Sequence, residues 1–125
     1  MSPGHVLLVD DEDDIRRLAR MSLERVGGWT VTDAGSADRA LAAAREQRFD
    51  AVLLDVMMPD VDGPATLALL RPVIGPDVPV VFLTAKVQPA DRRALEEAGA
   101  TGILSKPFDP MRLADDVNRI LEERR

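Results

Sequence analysis

Five side chains able to do polar chemistry stand where apolar runs stop. Val6-Leu7-Leu8-Val9 runs into Asp10-Asp11, Ala51-Val52-Leu53-Leu54 into Asp55, Val80-Val81-Phe82-Leu83 into Thr84, and Ile103-Leu104-Ser105 into Lys106. A carboxylate at the end of a buried run is costly unless it is paired or neutralised. Carboxylates drawn together also raise each other's pKa, unless a hard divalent cation stands among them. Oxygen ligands, few protein groups and several retained waters describe Mg²⁺. Asp10 and Asp11 would supply one side of such a site and Asp55 the other, with the backbone carbonyl of Met57 to complete it. The metal would hold a phosphoryl oxygen while a carboxylate attacks phosphorus to give an acyl phosphate. Lys106 would pair with the carboxylate and then with the phosphoryl group, and Thr84 would donate to a second phosphoryl oxygen.

Each residue alone has a plainer reading. Acids after a first strand cap a helix or favour its positive end, and Asp13 and Asp14 are expected to do only that. A threonine ending an apolar strand is a β-former, and a lysine before proline is a solvated surface group. Their joint placement outweighs these readings, and it depends on the elements that carry them.

Short apolar runs alternate with segments of helical period. His5–Asp10 reads as the first strand, and Ile15, Leu18, Ala19, Ser22, Leu23 and Val26 then recur at helix spacing until Gly27-Gly28. Residues 29–34 form a second strand and Ser36 caps a helix over 37–47. Residues 51–55 form a third strand, and Pro64 opens a helix expected to fade near Arg71-Pro72. Residues 78–84, a helix from Pro89 to Gly99, a strand over 101–105 and a helix from Pro110 to about Glu123 complete five βα units. Such alternation predicts an α/β fold, a parallel sheet with helices on both faces, and strands three to five are apolar throughout as burial on both faces requires. Ligands then bind beyond the carboxyl ends of the strands, where all five residues stand. No composition shift marks an internal boundary, so residues 1–125 are expected to be a single domain, structured over about 4–123.

Composition narrows the classes further. The chain is 46% hydrophobic with a formal charge of −6, which describes a folded acidic domain. Negative charge with 3% aromatic residues argues against direct nucleic-acid binding. The absence of cysteine excludes disulfides, thiolate metal sites and cysteine nucleophiles. The first apolar run is too short for a signal peptide or a membrane span, so the expected location is cytoplasmic, with no membrane partner. His5 is read as a strand-start residue, Trp29 as core filler beside the glycine pair, Met57-Met58 as core or contact surface, and Glu122–Arg125 as a solvated end.

V-D-D-E at 9–12, D-V-M-M-P-D-V-D-G at 55–63, L-T-A at 83–85 and S-K-P-F at 105–108 resemble the receiver domain of two-component response regulators, in order and over essentially the whole chain. The resemblance implies the flavodoxin-like sheet with strand order 2-1-3-4-5. It makes Asp55 the phosphoacceptor, Asp10, Asp11 and the Met57 carbonyl the Mg²⁺ ligands, and Thr84 and Lys106 the switch hydroxyl and the lysine of the family. Pro59 and Gly63 would shape the loop after Asp55, Gly63 through a positive φ, and Lys106-Pro107 would be a cis peptide. The implied donor is a sensor histidine kinase or a phosphotransfer protein, because this chain offers no convincing donor histidine.

The family's mobile aromatic three residues before the lysine is replaced here by Ile103, so any rearrangement of the fourth helix, fifth strand and fifth helix must work with an aliphatic group. Met57 and Lys86 occupy positions that influence access of hydrolytic water in such proteins. Homodimerisation through that same face is weighed against a solvated surface, with Arg92, Arg93, Glu96, Glu97, Asp115, Asp116 and Arg119 supplying both signs of charge. Three other functions are weighed. A nucleotide or flavin carrier would need small residues and backbone amides where Asp10–Asp14 stand. An aspartyl-phosphate hydrolase, an enzyme on external substrates, would want a second acid where Met57 stands. A pseudo-receiver, or constitutive interaction module, would not need all five site residues.

Overall fold

The computed structural model describes residues 4–86 and 88–123. Five parallel strands, β1 (His5–Val9), β2 (Thr30–Ala34), β3 (Ala51–Asp55), β4 (Val80–Thr84) and β5 (Gly102–Ser105), form one sheet in the order β2-β1-β3-β4-β5. Helices α1 (Asp13–Met21), α2 (Ala37–Glu46), α3 (Gly63–Ile74), α4 (Pro89–Glu97) and α5 (Leu113–Glu123) connect and flank them. This is the flavodoxin-like doubly wound fold.

Alternation along the strands sorts the core into two layers. Leu7, Val9, Val52, Leu54, Val80 and Phe82 face α2, α3 and α4. Val6, Leu8, Ala51, Leu53, Val81 and Leu83 face α1 and α5. Both faces are covered, so β1, β3 and β4 are buried almost throughout. Phe82 is the largest fully buried side chain, and truncating it to alanine is expected to cost about 3–5 kcal/mol. Helix starts follow local chemistry: Ser36 Oγ accepts from the Arg39 N–H, and Asp62 Oδ1 accepts from the Ala65 N–H with Pro64 in the first turn.

Several boundaries differ from expectation. Helix α3 does not fade at Pro72 but continues to Ile74. Ile74 packs against the core, Gly75 N–H closes the last turn on Arg71 O, and Arg71 Nη1 donates to the carbonyls of Gly75 and Val78. Tertiary packing and this side chain offset the bond that proline removes. The segment from Pro110 is a turn built on Asp109, and α5 begins only at Leu113. Strands β2, β4 and β5 each start one or two residues later than the apolar runs suggest.

Helix α1 continues as a π-helical turn over Ser22–Val26, closed by Gly27 N–H on Ser22 O. Gly28 then reverses the chain at φ +73°, a conformation that suits glycine. Ser22 Oγ donates to Pro110 O, and Trp29 Nε1, in a buried indole, donates to Asn118 Oδ1. Of the stripe expected to bury on α1, Ala19, Ser22 and Leu23 do, whereas Leu18 and Val26 stay exposed. Among the described residues no helix is long and apolar enough to cross a membrane. The expectation for Arg124 and Arg125 lies outside the described residues.

Candidate functional site

Strand order reverses beside β1, which lies between β2 and β3. Ligands of open α/β sheets bind in the crevice formed there. Asp10 and Asp11 follow β1 and Asp55 ends β3, so in-register pairing of Val9 with Leu54 brings the three acids to one crevice. Each offers a carboxylate oxygen within 4.8 Å of the others. From the other side, Lys106 leaves β5 and places Nζ 2.9 Å from Asp10 Oδ2 and 3.2 Å from Asp55 Oδ1. The Lys106–Pro107 peptide is cis.

Burial makes these contacts matter. Asp10 and Asp55 are 1% and 2% exposed. Asp10 Oδ1 also accepts from the Glu12 N–H, and Asp55 Oδ1 from the Met57 N–H at 3.3 Å. The remaining oxygen of Asp55, Oδ2, and Oδ1 of Asp11 are buried with no hydrogen-bond partner among the described residues. Burial first, and then the charge of Asp10, push the Asp55 carboxyl up to about 6, although Lys106 and the Met57 N–H oppose them. Lys106 itself is raised: burial disfavours its charge, but Asp10 and Asp55 outweigh that cost.

A buried polar atom without a partner calls for an explanation. Two such oxygens from two crowded carboxylates, in a crevice supplied with one ammonium, fit a divalent cation with hard oxygen ligands.

Four of the five sequence-derived side chains therefore meet. Thr84 is brought to the same edge, buried, but its hydroxyl is turned to the loop that leads to α4, where it accepts from the Lys86 N–H at 3.0 Å. No hydrogen bond joins that hydroxyl to Asp55 or Lys106 among the described residues. Met57 is 57% exposed at the rim. Ile103 is buried in the apolar cluster that holds Phe82, Met58 and Leu95.

The expected role of Gly63 needs correction. The positive φ in the loop after Asp55 belongs to Asp60, at 67°. Gly63 instead permits close approach, since a Cβ there would lie 2.7 Å from the Asp55 carbonyl oxygen and 2.8 Å from Val56 Cα. One residue escaped sequence reasoning: Arg16, one turn into α1, donates to the Asp10 carbonyl at 2.8 Å. Its only signal in the sequence is a basic residue among the acids, which reads as an ordinary helix ion pair.

The profile of the family described as "Response regulator receiver domain" matches residues 6–118. Over 106 residues the chain is 46% identical to "Probable transcriptional regulatory protein TcrX" of Mycobacterium tuberculosis, covering 85% of this chain and 44% of that protein. It is 39% identical over 116 residues to the transcriptional regulatory protein ResD of Bacillus subtilis, covering 93% and 47%. The chain thus spans about half the length of these curated relatives. Its backbone is similar to that of the chemotaxis response regulator CheY4 of Vibrio cholerae, with a TM-score of 0.86, 33% identity and coverage of 94% and 98%. With its acidic crevice, its 2-1-3-4-5 sheet and a family match over most of its length, the chain belongs to the receiver domains of two-component response regulators.

Proposed function

We propose that residues 4–123 form one receiver domain in which Asp55 accepts a phosphoryl group, and that a sensor histidine kinase or a phosphotransfer protein donates it. The observation that carries this reading is the state of the Asp55 carboxylate: Oδ1 is held by Lys106 and the Met57 N–H, while Oδ2 is buried and unpartnered among the described residues. A carboxylate fixed through one oxygen and left open at the other suits both a cation and attack on phosphorus. In the transfer a carboxylate oxygen bonds to phosphorus as the bond from phosphorus to the donor nitrogen breaks, leaving an acyl phosphate.

Asp10, Asp11, Asp55 and the Met57 carbonyl would hold Mg²⁺. When bound, the ion neutralises the crowded acids and draws charge from the phosphoryl oxygens. Lys106, already between Asp10 and Asp55, is placed to follow the charge from the carboxylate to the new phosphoryl group. Thr84 would turn its O–H from the Lys86 carbonyl, 3.4 Å away, to a phosphoryl oxygen, and because the same hydroxyl accepts from the Lys86 N–H this turn pulls on the loop that enters α4. The output is then a changed binding face around α4, β5 and α5, biased by the roughly two negative charges that phosphorylation adds. Ile103 already sits in the core, so the shift would proceed through repacking of an aliphatic side chain.

The same reading makes the chain a signalling module that modifies itself and does not turn over an external substrate. It acts in the cytoplasm, and its similarity to transcriptional regulatory proteins makes control of transcription the favoured output. The acidic chain itself would not contact nucleic acid. Pairing of two copies through α4, β5 and α5 is one form that output can take; Arg92, Arg93, Glu96 and Glu97 lie exposed on α4.

Intact mass after incubation with a small-molecule phosphodonor, with and without Mg²⁺, tests the assignment. One Mg²⁺-dependent phosphoryl adduct is expected on the wild type and none on Asp55→Asn. A folded, Mg²⁺-binding wild type that stays unmodified would overturn it in favour of a pseudo-receiver.

A further inference from the structure

Asp10 and Asp11 are neighbours, but the structure fixes them differently. Asp10 is tied at four points: its N–H to Ala34 O, Oδ1 to the Glu12 N–H, Oδ2 to Lys106 and its carbonyl to Arg16 Nη1. Asp11 has a buried Oδ1 with no partner among the described residues. The direction in which its carboxylate enters the crevice is therefore set by the Asp10–Asp11 peptide rather than by a hydrogen bond to that oxygen.

Arg16 holds that peptide. Nη1 donates to the Asp10 carbonyl at 2.8 Å, Nε to Asp33 Oδ2 at 3.1 Å and Nη2 to Asp13 Oδ1 at 2.7 Å. All three nitrogens are engaged, and the side chain is only 18% exposed. Asp33 is anchored in β2 and takes Arg20 Nη1 on its other oxygen. Gly35 leaves room for the guanidinium, since a Cβ there would stand 3.0 Å from Nη1. Burial disfavours the guanidinium's charge, but Asp13 and Asp33 outweigh that cost and hold it ionised.

We infer that Arg16 is a positioning residue, bracing the Asp10–Asp11 peptide against β2 so that Asp11 presents its carboxylate to the cation. This rests on the proposed cation site, and it deepens that reading by assigning a residue outside the ligand set. Groups that orient metal ligands are typically worth about 10-fold to 100-fold in affinity. Charge and position here predict opposite signs. By charge alone, removing a cation beside three acids strengthens binding of a divalent ion; by position, it weakens binding.

The test is Mn²⁺ affinity, read from the electron paramagnetic resonance of the free ion, with Mg²⁺ as competitor, on the full chain. Arg16→Gln is expected to weaken Mn²⁺ by about 10-fold or more. Arg16→Lys, which keeps the charge but not the three-way fork, should fall between that variant and wild type. Arg20→Gln removes a charge from the same Asp33 without reaching Asp10, and should stay within about twofold of wild type on that reasoning. Trp29 emission reports whether each variant is folded; if Arg16→Gln is not, Arg16→Lys decides. Tighter Mn²⁺ in Arg16→Gln with unchanged Arg16→Lys, or equal affinity throughout, would overturn the brace while leaving the cation site standing. A wild type that binds no Mn²⁺ would overturn the cation site and the brace with it.

Discussion

At the amino ends of the strands, His5 Nε2 meets Thr32 Oγ1 at 2.7 Å, Thr32 meets Gln47 Oε1 at 3.2 Å, and Asp50 Oδ2 accepts from the His5 N–H. The imidazole also lies against Phe49, with ring centroids 4.6 Å apart. At the carboxyl ends, Asp11 Oδ1 and Asp55 Oδ2 are buried without partners among the described residues. Among the described residues the first edge leaves no buried side-chain polar atom without a partner, and the second leaves two. Satisfied networks specify a structure, whereas open buried acids store free energy that a ligand can recover. Size does not make this distinction: a concavity of about 660 Å³, lined by Arg45, Gln47, Arg48, Phe49, Asp50 and Ile74 among others, lies at the satisfied edge.

Lys106→Met is the substitution that breaks the contrast most severely. It leaves Asp10 and Asp55 buried without their shared cation, and loss of one partner from a buried ion pair costs about 3–5 kcal/mol. The unfolding free energy without metal at pH 7.5 should drop by about that much, reduced somewhat because the lysine is 16% exposed. Added Mg²⁺ should restore much of it. A loss below about 1 kcal/mol would mean that the acids are not held against repulsion.

Acidity offers the next probe. Because Asp55 titrates at about 6 rather than 3.8, the folded protein binds that proton more tightly than the unfolded chain. Below pH 3.8 both states are protonated and Asp55 contributes nothing; between 3.8 and about 6 stability declines as pH rises; above about 6 the penalty is complete, at roughly 3 kcal/mol. Metal-free Asp55→Asn should therefore be more stable than wild type at pH 7.5 and no more stable near pH 3. Denaturant unfolding of both proteins across this range measures the difference, in which carboxylates remote from Asp55 cancel to first order.

Gly63→Ala should cost about 1–3 kcal/mol through the clash with the Asp55 carbonyl. Mg²⁺ should not recover that loss, because it is steric. His5→Ala, at the satisfied edge, should cost about 1 kcal/mol for the hydrogen bond and ring contact. Its unfolding midpoint should shift equally with and without Mg²⁺; a Mg²⁺-sensitive loss would erase the distinction between the edges.

The sequence was most legible where each residue's own chemistry decides its conformation. Apolar runs mark β3 to the residue, Ser36 marks the start of α2, and the residues ending β1, β3 and β5 mark the crevice. Features decided by contacts between distant segments were not legible. Helix α3 survives Pro72 because Ile74 reaches the core and Arg71 caps the carbonyls beyond it. The π-helical end of α1 packs on α5 and the turn before it, through Ser22 to Pro110 and Trp29 to Asn118, which are 88 and 89 residues apart in sequence. Gly63 could be singled out but not explained, since a backbone carbonyl across the loop gives the reason. Arg16 had no legible role because the carbonyl it holds has no signature in the side-chain pattern.

The contrast between the edges turns on one group, so the most direct measurement is the ionisation of Asp55 itself. Carboxyl-carbon NMR, assigned by comparison with Asp55→Asn, can follow its titration in the folded protein with and without Mg²⁺. The expected midpoint without metal is about 6, falling by about two units or more when Mg²⁺ is added, as an adjacent divalent cation requires. A midpoint near the ordinary 3.8, unmoved by Mg²⁺, would contradict a cation site at this crevice.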